Sequence, residues 1–376
     1  MDNGRIRVGV VGCGVIAQVM HLPHLLELED RFELAAVCDL SAEVASACAR
    51  RYGAAKSFVS WEDMLSEPLD AVLVLTSGSH APIAVAAAHA GVHVFVEKPM
   101  CLNLEEGREM AQAAERAGVR LMVGTMKRYD PAYERMLEVL PDAGELRLVR
   151  VTTLESPFAP YIEGYALTPL TPGPPELLER LRREDEQRLE LALPGADEET
   201  LYCYRWMLLD NLVHELNALR GALGEPRAVK YSDLSRRVVN ISLAFDSVEC
   251  HLSWVDLPGI ARYRQELAFY GLDARVTLTL PSPYLRGMPT ELAIEGGEAA
   301  SSHAWRTVET VSYVEAFKRE LIEFHRAIAD GRPPRTDAVD GLHDVALCHA
   351  IAQAHLSGKA IERPSEIDRE EIGAGA

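Results

Sequence analysis

From Arg5 to Thr125 the chain alternates apolar runs of strand length with stretches of helical period. The runs Ile6–Val11, Glu33–Cys38, Ala71–Leu75, His93–Val96 and Leu121–Val123 predict strands. Between them the spacing predicts helices near Val15–Leu28, Ala42–Arg51, Ala81–Ala90 and Leu104–Ala117, with Asn103 and Glu106 placed to cap the last of these. Strands apolar on both faces belong in a parallel sheet covered on each side by helices. The first third therefore reads as a doubly wound α/β domain, residues 1–127.

After Arg128 the pattern changes. A helix near Pro131–Leu140 leads to a strand at Leu146–Leu154, and alternating strands follow at Ala228–Leu234, Val238–Phe245, Val248–Trp254, Tyr263–Tyr270 and Ala274–Thr279. Short connections such as Asp246-Ser247 and Leu272-Asp273 make them hairpins. Two helices, near Val314–Ala329 and Val339–Ser357, close the chain. Residues 128–376 thus predict an α/β domain with an open, largely antiparallel sheet and helices on one face. Within it, Pro157 to Thr200 stands apart: it holds seven of the 21 prolines and then a charged helical run, Glu176–Leu191. A segment this long is either a lid or a solvated surface excursion.

Composition narrows the class. With 57 acidic against 38 basic residues, the formal charge of −19 disfavours nucleic acid and anionic membranes as partners. No apolar run reaches the ~18 residues of a membrane span, and the N-terminus carries no recognisable targeting signal. Seven dispersed cysteines without a CxxC pair suit a reducing, cytoplasmic setting.

Candidate chemistry begins at Gly12-Cys13-Gly14-Val15-Ile16-Ala17, a GxGxxA placed directly after a strand and opening a helix. Gly12 permits the tight turn, Gly14 lets backbone approach a pyrophosphate, and Ala17 lets helix and strand pack closely. The helix N-terminus supplies free N–H groups to phosphate. That context favours dinucleotide binding over an ordinary glycine turn. Asp39 ends the next strand, where a carboxylate can bind both ribose hydroxyls and repel a 2′-phosphate; Leu40 and Ser41, not arginine, follow it. NAD is therefore expected over NADP. Two more loops leave strand carboxyl ends toward the ligand crevice: Thr76-Ser77-Gly78-Ser79-His80 and Glu97-Lys98-Pro99.

Further on, Asp210 and His214 lie four apart among Leu209, Leu212, Val213 and Leu216, so a helix would place them on one face. A buried Asp–His pair fixes an imidazole tautomer for use as a base, though spacing alone also fits a surface ion pair. His21 and His24, and His343, Cys348 and His349, lack partners at zinc-like spacing, and no metal site is expected.

Together GCGVIAQVMHLPHL, VFVEKPM, VGTMKRYDPAY and LDNLVHELNAL resemble, in this order and over nearly the whole chain, the Gfo/Idh/MocA family: glucose–fructose oxidoreductase, inositol dehydrogenase and rhizopine catabolism proteins. The resemblance implies an N-terminal Rossmann domain and an α/β domain often buried in an oligomer, hence a homo-oligomer, dimer or tetramer. It implies that Lys98 contacts nicotinamide ribose and substrate hydroxyl, and that Asp210 and His214 bind substrate and exchange its proton, Asp210 orienting His214. Thr76 and His80 would pass beneath the cofactor, and Lys127 and Arg128 would line the pocket. The expected activity is interconversion of a secondary hydroxyl and a ketone on a carbohydrate-like small molecule. Two alternatives stay open: an NAD-retaining glycosidase or lyase, and a non-catalytic dinucleotide sensor. The sequence departs from the family where Tyr204-Arg205-Trp206-Met207 replaces a glycine-rich turn, and in the long 157–200 segment.

Overall fold

A computed structural model describes residues 4–298, 300–365 and 367. The first sheet contains β1 (Ile6–Val11), β2 (Phe32–Cys38), β3 (Lys56–Phe58), β4 (Ala71–Val74), β5 (His93–Glu97) and β6 (Leu121–Gly124). It is wholly parallel, in the order β3-β2-β1-β4-β5-β6. Val8, Val10, Leu73, Val74, Val94 and Val96 are all fully buried, as a sheet covered on both faces requires. The order reverses between β1 and β4, which opens a crevice beyond their carboxyl ends. The predicted helices form. The first is wound more widely over Ala17–His21, a π-helical turn, before the α-helix Leu22–Glu27. Ser41 caps Ala42–Tyr52 by accepting from Val44 N, and Asn103 caps Leu104–Ala117 by accepting from Glu106 N.

Among the described residues the second sheet has nine strands: β7 (Leu146–Glu155), β8 (Ala228–Leu234), β9 (Val238–Ala244), β10 (Glu249–Asp256), β11 (Arg264–Gly271), β12 (Ala274–Leu280), β13 (Glu291–Gly297), β14 (Ala304–Thr310) and β15 (Ile361–Glu362). Their order is β14-β13-β12-β11-β7-β10-β9-β8-β15, antiparallel except where β10 runs parallel to β7. The hairpins expected from the sequence are present. Strands β13 and β14 were not expected: Gly296-Gly297 and the charged positions of β14, which is exposed on both faces, blur their alternation.

One helix sits elsewhere than expected. Ala316–Ala329 packs on the first sheet, where Leu321 and Phe324 join Ile6, Val8, Val10 and Phe95 in one buried cluster. Thr336 O accepts from Val123 N beside it, so the late chain also covers the open edge of β6. The final helix, Ala338–Ser357, packs against β8 and against Leu104–Ala117. Among the described residues no helix is long and apolar enough to cross a membrane. All seven cysteines are free and buried.

Candidate active site

The glycine turn fits a dinucleotide. Gly12 adopts φ +93°, and a Cβ there would lie 2.8 Å from the Leu75 carbonyl, so only glycine serves. A Cβ on Gly14 would meet nothing within 4 Å: this glycine answers no packing need and leaves bare backbone where phosphates would approach. Ala17 is fully buried, while Val15 and Ile16 pack against Val19, Met20, Met126 and Phe317. Asp39 is held by two backbone donors, Cys13 N to Oδ2 and Ser41 N to Oδ1, both at 2.9 Å. Its remaining lone pairs are free to accept from ribose hydroxyls. Leu40 stands beside it, half-buried. On the facing bank, Thr76 and Ser77 lead to His80, whose ring bridges the carbonyls of Thr76 (2.7 Å) and Pro99 (2.8 Å). The loop after β4 is thereby tied to the motif after β5.

That motif rests on a buried polar cluster. Glu97 takes His21 Nε2 on one oxygen at 2.6 Å and the Lys98 amide on the other at 3.1 Å. Ligand-type atoms of His21, Glu97 and Glu320 lie within 4.8 Å of one another. Burial, then the charge of Glu97, pushes the Glu320 carboxyl well above its ordinary range, which suits a neutral acid beside an anion. Lys98 reaches the second part of the molecule: its Nζ donates to Asp210 Oδ1 at 2.9 Å and to the Asp210 carbonyl at 2.6 Å. Burial opposes the ammonium, but the carboxylates of Asp210 and Glu97 outweigh it and hold the lysine pKa above 10.5.

His214 lies one helical turn beyond Asp210. Burial, then Lys127 and Lys98, depresses its pKa well below 6.5. That favours the neutral imidazole, and Nδ1 has no hydrogen-bond partner among the described residues. The expected Asp210–His214 hydrogen bond is not made. Residues Cys203–Leu212 wind as a π-helix, and the Asp210 carboxylate is taken by the cation Lys98 instead. Lys127 is buried and faces Glu215 Oε2 at 3.6 Å; burial lowers its pKa, and Glu215 offsets this only in part. Arg128 does not join this group. Its guanidinium donates to the Asn217 carbonyl at 3.3 Å and pairs with Asp340 at 3.8 Å, drawn to an acidic site behind helix Val213–Leu223.

Several residues were missed from the sequence. Glu215 is fully buried and gathers Thr153 Oγ1 at 2.7 Å, Gln265 Nε2 and Lys127. Glu155 ends β7, its pKa raised by burial, and accepts from Asn211 Nδ2 at 3.3 Å. Tyr284, near enough to Lys98 and Asp210 to feel both charges, comes from a proline-flanked loop. A carboxylate at the carboxyl end of an alternating strand was a usable signal for Glu155; nothing in the local sequence marked Tyr284.

A glycine phosphate turn on a parallel sheet, facing a lysine–aspartate contact and a neutral histidine, defines a dinucleotide-linked oxidoreductase. Residues 6–125 match the Gfo/Idh/MocA family model, described as oxidoreductase family, NAD-binding Rossmann fold. It is 27% identical to inositol 2-dehydrogenase 3 of Saccharopolyspora erythraea over 95% of both chains. It is 26% identical to D-xylose 1-dehydrogenase (NADP(+)) 2 of Haloferax volcanii, covering 94% of this chain and 98% of that one. Levoglucosan dehydrogenase, solved with NADH and L-sorbose, superposes with a TM-score of 0.74 at 18% identity, covering 96% of this chain and 99% of that one. At that identity the likeness is one of fold.

Proposed function

We propose that the protein interconverts a secondary hydroxyl and a ketone on a sugar, polyol or inositol-like substrate. Bound nicotinamide dinucleotide would exchange the hydride. Gly12, Gly14, Val15 and Ile16 would hold its phosphates, Asp39 and Leu40 its adenosine end, and Thr76, Ser77, His80, Glu97 and Lys98 its nicotinamide side. Neutral His214 takes the hydroxyl proton on oxidation and returns it on reduction. The Lys98 ammonium stabilises the developing alkoxide, and Asp210 aims that ammonium rather than the imidazole. Lys127, set by Glu215, adds a second cation to the substrate pocket. In this reading residues 1–127 bind cofactor and residues 128–376 bind substrate.

The observation that carries the proposal is the Lys98–Asp210 contact, which brings the ammonium at the mouth of the first sheet onto the helix that bears His214. The names of the full-length relatives supply the substrate class. The test is a panel of polyols and sugars with NAD and with NADP, read by nicotinamide absorbance. Stoichiometric reduction with at least one substrate is expected, and faster with NAD, because Asp39 would repel a 2′-phosphate. Turnover without net change in absorbance would instead support transient oxidation in a lyase or glycosidase. Binding without turnover would support a sensor. Those two readings are not favoured beside relatives named as dehydrogenases. The free, buried cysteines support a cytoplasmic setting. The exposed Trp305, Val308 and Tyr313 on and beside edge strand β14 support assembly with further copies of the chain.

A further inference from the structure

The segment 157–200 is largely exposed, yet two parts of it are tied to the first sheet's loops and helices. Its first part, residues 166–173, lies on the loops after β1 and β2. Thr168 N donates to Gln18 Oε1 at 2.7 Å, while Gln18 Nε2 reaches the Thr168 carbonyl at 3.3 Å and the Cys13 carbonyl, inside the phosphate turn, at 2.9 Å. Arg51 donates to the Ala166 carbonyl. The hydroxyls of Ser41 and Thr171 are 2.6 Å apart. Gly173 sits so close that a Cβ there would lie 2.6 Å from the Leu40 Cβ.

The second part lies on the opposite bank. Asp185 Oδ1 accepts from Ser79 N at 3.3 Å, in the loop after β4, and Arg188 pairs with Glu106 at 2.6 Å. Between Gly173 and Asp185 run the first turns of helix Pro175–Ala192, so the chain crosses from one wall of the crevice to the other. The two banks are the carboxyl ends of the strands on which a dinucleotide would lie.

We propose that residues 166–188 form a clasp over the outer side of the dinucleotide site, so that the cofactor enters and leaves only when the 166–173 arm lifts. This rests on the cofactor reading above and adds a controlled exchange step to it. The two ends of the clasp are unequally fastened. The helix end is rooted in the core through Leu189, Ala192 and Leu193, and Asp185 is further held by Arg205 at 3.1 Å. The arm is held by a few neutral hydrogen bonds and one arginine, so it is the end that opens. Its root touches the substrate side: the Tyr165 hydroxyl donates to the Tyr284 carbonyl at 3.0 Å and accepts from Arg286 N at 2.9 Å.

The test uses the full-length protein and NADH, with exchange followed by stopped-flow NADH fluorescence. Thr171→Ala and Gly173→Ala loosen the arm from Ser41 and Leu40. Each is expected to raise the NADH dissociation rate about tenfold or more while the melting temperature without cofactor changes little. A Ser41→Cys, Thr171→Cys double variant compares two states of one protein. Oxidised by diamide to a disulfide it should neither load nor release NADH on the normal timescale, and reduction by dithiothreitol should restore exchange. Equal exchange rates in the oxidised and reduced forms would overturn the clasp alone. So would tighter NADH binding with an unchanged dissociation rate in the loosened variants, which would make the arm a competitor for the site. Absence of NADH binding in every form, wild type included, would overturn the cofactor reading and the clasp with it.

Discussion

At the scale of single residues the site divides charge between two groups of opposite tendency. Lys98 is kept ionised by carboxylates despite burial; His214 is kept neutral by burial and by two ammonium neighbours. Replacing Lys98 by Ala removes the charge that the alkoxide would meet, and His214→Gln removes the proton acceptor. Each is expected to lower kcat by about 10²–10⁴, while NADH affinity measured by fluorescence titration changes only a few-fold. Near-normal turnover in either variant would remove that residue from the chemistry. The depressed histidine pKa also has a signed consequence. Unfolded, the imidazole binds a proton below about pH 6.5; folded, it does so only at lower pH. Between those values the unfolded state holds the extra proton, so stability falls by about 1.4 kcal/mol per pH unit as pH drops. His214→Gln should flatten this slope in denaturant titrations between pH 6.5 and 5. The acid limb of kcat/KM in the wild type should likewise lie below pH 6.5.

At the scale of elements the turn after β1 separates fold from function. Gly12→Ala would place a methyl group 2.8 Å from the Leu75 carbonyl in a backbone with φ +93°, so a melting temperature several degrees lower is expected. Gly14→Ala would put its methyl group in open space, leaving thermal stability intact but weakening NADH binding by tenfold or more, since the Cβ fills the approach to phosphate. Equal effects of the two variants on melting would contradict this division. The same elements show what was legible beforehand. The first sheet was readable strand by strand because burial on both faces leaves unbroken apolar runs such as Ala71–Leu75. The second was readable only where one face is dry: β8 to β12 alternate, whereas β13 and β14, with Gly296-Gly297 and an edge wet on both faces, do not. The glycine turn, Asp39, Lys98 and His214 could be singled out as candidates because each sits at a fixed offset from a strand end or helix turn. The partner of Asp210 could not, since its contact with Lys98 spans 112 positions and depends on a local widening of the helix. The direction Arg128 takes was not legible for a related reason: a cation next to Lys127 in sequence pairs with Asp340, more than 200 residues away.

At the scale of the whole molecule the cofactor sheet is completed by chain that arrives last. Helix Ala316–Ala329 covers one face of it and Thr336 borders the edge strand β6, so the first 125 residues do not bury their own core alone. Phe324 is fully buried, with its ring 5.7 Å from that of Phe95 on β5. Phe324→Ala should cost about 3–5 kcal/mol through lost contact and residual cavity. Because the helix is shared, the loss is expected in the cofactor sheet as much as in the C-terminal part. Unfolding followed by circular dichroism and by fluorescence of bound NADH should shift together and remain coincident. If the two sheets were energetically independent, the nicotinamide signal would keep its wild-type midpoint while part of the circular dichroism moved. That outcome would confine the helix to the second domain. A shared shift carries a further implication for the active site: the interface that positions Lys98 against Asp210 is fastened on its far side by a helix that follows both of them by more than 100 residues. Opening for substrate must then be accommodated by loops and by the 157–200 segment rather than by separation of the two sheets.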